Sequence, residues 1–161
     1  TIEFAKKEIQ TAFSGTSYPG DSNLVERNDM NDSERLETKR VFTGKRWETL
    51  GLEDLCQQHY YLSFLSAVAY RYYLPAFLLV VLDHYEEENS AEVCSSTLTT
   101  LRPSMRKPNF GIRERWLVQN VDGLTEPQKR AIKIFLETLV EVYDDERAKE
   151  ALQYFWCNPI R

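Results

Sequence analysis

Apolar side chains recur at helical spacing from the first turn of the chain: Ile2, Ala5, Ile9, Ala12 and Phe13 share one face, with Glu3, Lys6, Lys7 and Glu8 on the other. The pattern predicts an amphipathic helix that Gly15 ends. The run from Thr16 to Asn23 is then dense in turn formers, and Asn28 to Arg40 is too polar to bury a face. A long irregular excursion is expected there, with at most a short helix near Ser33 to Arg40. Leu50, Leu52, Leu55 and His59, with Glu53 and Asp54 turned outward, predict a further short helix.

The stretch from Phe64 to Leu82 holds a single charge, Arg71, and a single proline, Pro75. A proline ring inside a continuous helix costs about 3 kcal/mol but suits the first turn of a new one. The expectation is a buried helical pair split at Tyr73 and Leu74. Phe64, Leu65, Val68 and Tyr72 would form the inner face of the first piece. Phe77, Leu78, Val81 and Leu82 would form that of the second, with Asp83, Glu86, Glu87 and Glu88 leaving the core. The longest uninterrupted apolar stretch, Leu74 to Leu82, is nine residues long, against the roughly 20 needed to cross a bilayer. No membrane span is expected.

Asn89 and Glu92 have the spacing of a helix-start cap, and Cys94, Thr97, Leu98 and Leu101 then make an apolar stripe that Pro103 terminates. Pro103 to Asn109 reads as a loop, and Phe110 to Val121, with Ile112, Trp116, Leu117 and Val118, suits a short helix or an irregular strand. Thr125, Glu126, Pro127 and Gln128 read as cap, acidic first turn, first-turn proline and capping-box partner. Ile132, Phe135, Leu136, Leu139 and Tyr143 supply the buried face of that helix. Ala148, Ala151, Leu152, Phe155 and Trp156 repeat the spacing after an acidic break, up to Asn158-Pro159. The pattern is weakest over residues 16–48 and 103–123. With strand-like alternation almost absent, the fold class is all-α: one domain over residues 1–161, a compact bundle of about six helices with a long irregular N-terminal excursion.

A chain of 161 residues buries roughly 70% of its unfolded surface, enough for a core without staples. Its net charge of −5 is uneven, −3 over residues 1–60, −4 over 61–100, +3 over 101–123 and −1 over 124–161. Net acidity disfavours nonspecific binding to nucleic acid and favours encounters with basic partners. Cys56, Cys94 and Cys157 are odd in number and contain no C-x-x-C, which argues against a disulfide framework and for a reducing compartment, the cytoplasm. The first residues lack the basic start and long apolar core of a secretory signal.

Cys56 and His59 are three apart, and His84 and Cys94 are the remaining partners for a metal. Zinc needs three or four ligands in tetrahedral reach, and two histidines with three dispersed cysteines make a poor set. Cys94 beside His84 is also the nearest approach to a thiol enzyme, but Cys94 lies on an apolar stripe, where burial makes a thiol inert. No glycine-rich phosphate loop is present, so no metal, cofactor or catalytic residue is assigned and a non-enzyme is expected. Arg102, Arg106, Lys107, Arg113 and Arg115, interleaved with Phe110 and Trp116, are the nucleic-acid-like feature. Five cations in an acidic chain are a small footprint, so nucleic-acid binding is disfavoured. Arg71, alone in its apolar segment, is expected to pair with a carboxylate or to snorkel between Tyr70, Tyr72 and Tyr73.

Glu86, Glu87, Glu88 and Glu92, and separately Glu141, Asp144, Asp145 and Glu146, are carboxylate clusters without the spacing of a calcium loop. Solvated faces are the ordinary reading of such runs. Held on rigid helix ends, they also orient docking to a basic protein. Trp47 and Trp116 are the aromatic anchors such a surface would use if exposed.

The Phe64-Leu65-Ser66 segment, Tyr70-Arg71-Tyr72-Tyr73-Leu74-Pro75-Ala76-Phe77, Leu124 to Ile132 and Ala151 to Trp156, together with Phe13 and Tyr18-Pro19-Gly20, resemble a family of small bacterial proteins of unknown function. The resemblance spans Ile2 to Trp156. It implies a compact helical protein without an assigned catalytic residue, similar to small acidic proteins that neutralise toxins or bind other partners. The expectation is a non-catalytic protein-binding domain, an immunity-type inhibitor among its forms, that meets a basic partner through Glu86, Glu87, Glu88, Glu92, Asp144, Asp145, Glu146, Trp47 and Trp116. The alternatives are an enzyme using a carboxylate cluster, with or without a metal, and a nucleic-acid accessory protein using residues 102–116.

Overall fold

The computed structural model describes residues 1–26, 33–57, 61–103 and 110–157, without the side chains of Tyr61 and residues 110–114. The described residues contain helices and turns but no strand. Six helices have ten or more residues: α1 (Ile2–Phe13), α2 (Ser33–Phe42), α5 (Ala67–His84), α6 (Ala91–Thr100), α7 (Phe110–Val121) and α8 (Glu126–Tyr143). Short helices α3 (Leu52–Leu55), α4 (Tyr61–Phe64) and α9 (Glu146–Ala151) connect them, and α9 continues into a π turn, Leu152–Trp156. The segment 110–121 is thus a helix, not a strand. The readings on His59, on residues 104–109 and on Asn158-Pro159 lie outside the described residues.

Helix α5 is apolar all round, so every face of it must be covered. Helices α1, α3, α4, α6, α7 and α8 all pack on it. Leu74, Pro75, Ala76, Phe77, Leu78, Val81 and Leu82 are buried. The expected split at Tyr73 and Leu74 is corrected: α5 runs unbroken through Pro75. A break there would leave several amides and carbonyls unpaired in a dry interior, at about 1–3 kcal/mol each. One missing proline N–H is the smaller penalty.

The break comes earlier, at Leu65–Ser66. Ser66 caps α5 by accepting from the Ala69 N–H at 3.2 Å, and its own hydroxyl and amide donate to the carbonyls of Asn23 and Leu24. Serine suits this position because its side chain replaces the partner that the first helical amide lacks. The register also shifts, so that Val68 is 44% exposed instead of facing inward.

The same helix anchors the irregular N-terminal third through its tyrosines. The buried Tyr73 hydroxyl lies 2.9 Å from the Phe42 carbonyl and 2.7 Å from that of Lys45. Tyr72 packs edge-on against Tyr18, whose hydroxyl donates to Asp21 and accepts from the Gly44 N–H. Burial pushes the Tyr73 phenol far above its ordinary pKa. These tyrosines are structural ties for a segment with little apolar periodicity of its own.

The C-terminal helix starts as its pattern predicts. The Gln128 N–H donates to the Thr125 hydroxyl at 3.3 Å, and the Thr125 N–H donates to Gln128 Oε1 at 3.0 Å. Ile132, Phe135, Leu136 and Leu139 are fully buried, and α8 packs chiefly on α1, with α9 and α5 beside it. At the start of α6 the expectation is corrected: Asn89 belongs to a single 3-10 turn, Glu88–Ser90, and Ser90 precedes the helix. The Ser90 hydroxyl donates to main-chain carbonyls at His84 and Glu87 and does not cap α6.

Candidate functional site

Two acidic segments far apart in the chain meet at one end of the bundle. Helix α5 ends at His84 and α8 at Tyr143, and the rings of Tyr85 and Tyr143 stack there with centroids 3.9 Å apart at 13°. The Tyr85 hydroxyl donates to Asp145 at 2.5 Å. Burial raises the Tyr143 phenol, and the Glu86 carboxylate beside it raises it further. Glu86 therefore lies within electrostatic reach of the α8 end. Glu86, Glu87, Glu88, Glu92, Glu141, Asp144 and Glu146 are all exposed.

This end is partly neutralised. Lys149 bridges Asp144 and Glu146 at 2.6 Å each, and Lys6 of α1 meets Asp83 at 2.6 Å; the His84 ring lies in hydrogen-bond contact with Glu87 at 2.7 Å. The Asp83 carboxylate holds the Lys6 ammonium above its ordinary pKa. Glu86 and Glu88 make no ion pair among the described residues. Their charge is what this end leaves open to solvent.

Three expected site residues are reassigned. The Asp145 side chain is 2% exposed; it accepts from the Ala148 N–H as the cap of α9 and forms a bidentate pair with Arg147. Burial pushes its carboxyl up, but Arg147, Tyr85 and the Ala148 N–H outweigh that and hold it below its ordinary value. A capping carboxylate consumed in this way is a structural group. Trp47 is 4% exposed, in a single 3-10 turn against α5, and its indole N–H has no hydrogen-bond partner among the described residues. Trp116 is half-buried, edge-on to Tyr70 at 5.4 Å. Trp47 is core, and Trp116, on α7, packs against the apolar central helix with only part of its surface accessible; neither is a fully exposed anchor.

The Tyr85–Tyr143 pair escaped the sequence reading. Tyr143, the last residue of α8, is expected on a buried face, but its partner Tyr85, just past the end of α5 in an acidic run, is indistinguishable in sequence from solvent-facing polar neighbours. Tyr85 is pushed up to about 12 by burial and by the hydrogen bond to the Asp145 carboxylate. The pair is the platform that holds the two acidic ends together.

The other chemistries fall elsewhere. Among the described residues no three His, Cys, Asp or Glu side chains gather in a metal-holding group. Cys94 is 3% exposed, and burial pushes its thiol up. Of the basic belt, Arg102 is paired with Glu150, Arg115 is exposed, and Arg106, Lys107 and the side chain of Arg113 lie outside the described residues. Arg71 neither pairs with a described carboxylate nor inserts between the tyrosines: its Nη1 donates to the Asn120 carbonyl at 3.4 Å across the backbone of Gly123.

Fold and site together define an all-α protein with an acidic pole built on stacked tyrosines, and no helix among the described residues is long and apolar enough to cross a membrane. The chain belongs to the family of unknown function DUF6714, whose model matches residues 5–159. No curated protein and no solved structure matches it.

Proposed function

We propose that this protein is a non-catalytic binding domain that docks a basic protein partner on its acidic pole. The observation that carries the reading is the convergence of the 86–92 and 141–146 carboxylates on the Tyr85–Tyr143 platform. Carboxylates on fixed helix ends do not have to be ordered on binding, and their summed field steers a cationic surface toward them. Glu92 and Glu146, in the first turns of α6 and α9, are also favoured by their own helix ends. An immunity-type inhibitor, in which such a pole occupies the phosphate-binding surface of a basic enzyme, is one form of this reading. The free cysteines suit a reducing compartment, and we place the protein in the cytoplasm.

The test is a pull-down from the source organism with wild-type protein and with a Glu86→Lys/Glu88→Lys variant, at low and high salt. The expected result is one stoichiometric basic protein, weakened by salt and lost with the variant. A stoichiometric partner retained equally by both proteins, or no partner with either, removes the acidic pole as the docking surface.

A further inference from the structure

Arg71 is the charge that the acidic pole leaves unexplained. A guanidinium carries five N–H donors in a rigid plane and stays ionised. Its one hydrogen bond to the described residues is the 3.4 Å contact with Asn120 O, longer than a normal N–H···O bond, and no described carboxylate lies within ion-pair distance. The group is nevertheless half-buried. Its remaining donors open on the clefts beside it, where an anion can take the place of solvent.

The surroundings have the form of a small-ligand site. Arg71 and Val68 form the shared wall of two clefts, of about 500 and 410 Å³, one toward α8 and one toward the start of the irregular segment. The larger is lined also by Thr16, Ser17, Gly123 and Gln128. Gln128 Nε2 donates to the Thr16 hydroxyl at 3.1 Å, which leaves the Thr16 proton available to a ligand. At Gly123 a Cβ would stand 2.3 Å from the Arg71 Cζ, so the guanidinium lies directly on bare backbone and any side chain there would displace it. At the start of α8 the Thr125 and Gln128 amides are engaged in the capping box and Pro127 has none, so Arg71 is the charged group of the cleft.

We propose that this cleft binds an oxyanion of a small molecule, a carboxylate or a phosphate group, on the Arg71 fork. The Thr16 and Ser17 hydroxyls add donors, and the exposed Val68 covers the apolar remainder of the ligand. Planar guanidinium and planar carboxylate or phosphate edges match in a bidentate arrangement. The site is independent of the acidic pole: the fifteen helical steps of α8 from Gln128 to Tyr143 set them about 22 Å apart, more than two Debye lengths at physiological salt.

The experiment is an amide and arginine side-chain NMR titration with inorganic phosphate and, separately, acetate, at ionic strength held constant with sodium chloride. The expected result is a saturable shift at Thr16, Ser17, Gly123 and the Arg71 Nε–H; the anion that binds more tightly identifies the group. Three variants locate it. Val68→Glu changes an exposed position and places a carboxylate one turn from Arg71, where it pairs with the guanidinium in the anion's stead. Arg71→Gln removes the fork, and Gly123→Ala displaces it while keeping the arginine. Each should weaken binding by about tenfold or more, the worth of one charge-assisted hydrogen bond. If Arg71→Gln does not fold, Val68→Glu decides. Absence of a saturable shift with either anion, shifts spread over surface lysines, or binding unchanged in Val68→Glu would overturn the proposal.

Discussion

Asp145 shows how a single residue can be legible in type and misread in role. Its place in an acidic run marks it as a surface charge, yet its side chain is spent on Arg147, Tyr85 and the α9 cap. A carboxyl depressed in the folded protein contributes stability that is fully present above its unfolded pKa, about 4. That contribution is lost as pH falls through the lower folded value. Asp145→Asn is therefore expected to cost roughly 3 kcal/mol near neutrality, since it leaves Arg147 half-buried without its charge partner. It should also flatten the acid limb of stability below about pH 4, which urea melts across that range would read. Ser66→Ala should cost about 1–2 kcal/mol through the lost cap, with tryptophan fluorescence as the readout. The cysteines separate by environment. Exposed Cys157 should react with a thiol reagent in the native state, while buried Cys94 should stay protected until unfolding.

At the scale of the element, the contrast lies between α8 and α5. The start of α8 was legible because Thr125, Pro127 and Gln128 act within one turn, so local chemistry and final structure agree. The unbroken α5 was not, because the local penalty of Pro75 is weighed against the burial of a whole helix. Replacing Pro75 by alanine relieves about 3 kcal/mol of helix penalty, the ring clash and the missing hydrogen bond together. It gives up about 1.6 kcal/mol of apolar burial and about 0.4–1 kcal/mol of unfolded-state stiffness. A net gain near 0.5–1 kcal/mol is expected by thermal or urea melting; a substantial loss would mean that the ring's packing outweighs its strain. Likewise α7 left helix and strand open because its apolar spacing is short, and packing of Leu117 and Val121 into the core, where both are buried, selects the helix.

At the scale of the whole molecule, charge is sorted into places the linear pattern does not reveal. The runs 86–92 and 141–146 are separated by α6, α7 and most of α8 in the chain and meet only because α5 and α8 end together. The Glu86→Lys/Glu88→Lys variant should leave stability within about 0.5 kcal/mol, as exposed substitutions do, while its effect on partner capture is large. Equal melting curves with unequal capture would tie the pole to recognition. Periodicity, caps and the apolar central run determined the helical class, most helix positions and the identity of the core, because these depend on contacts three and four residues apart. Only the tertiary structure decided that α5 passes through its proline, that Trp47 and Asp145 are interior, and that the two acidic runs share a pole. Each of those outcomes balances a local cost against burial supplied by residues tens of positions away, and that balance exists only once the chain is packed.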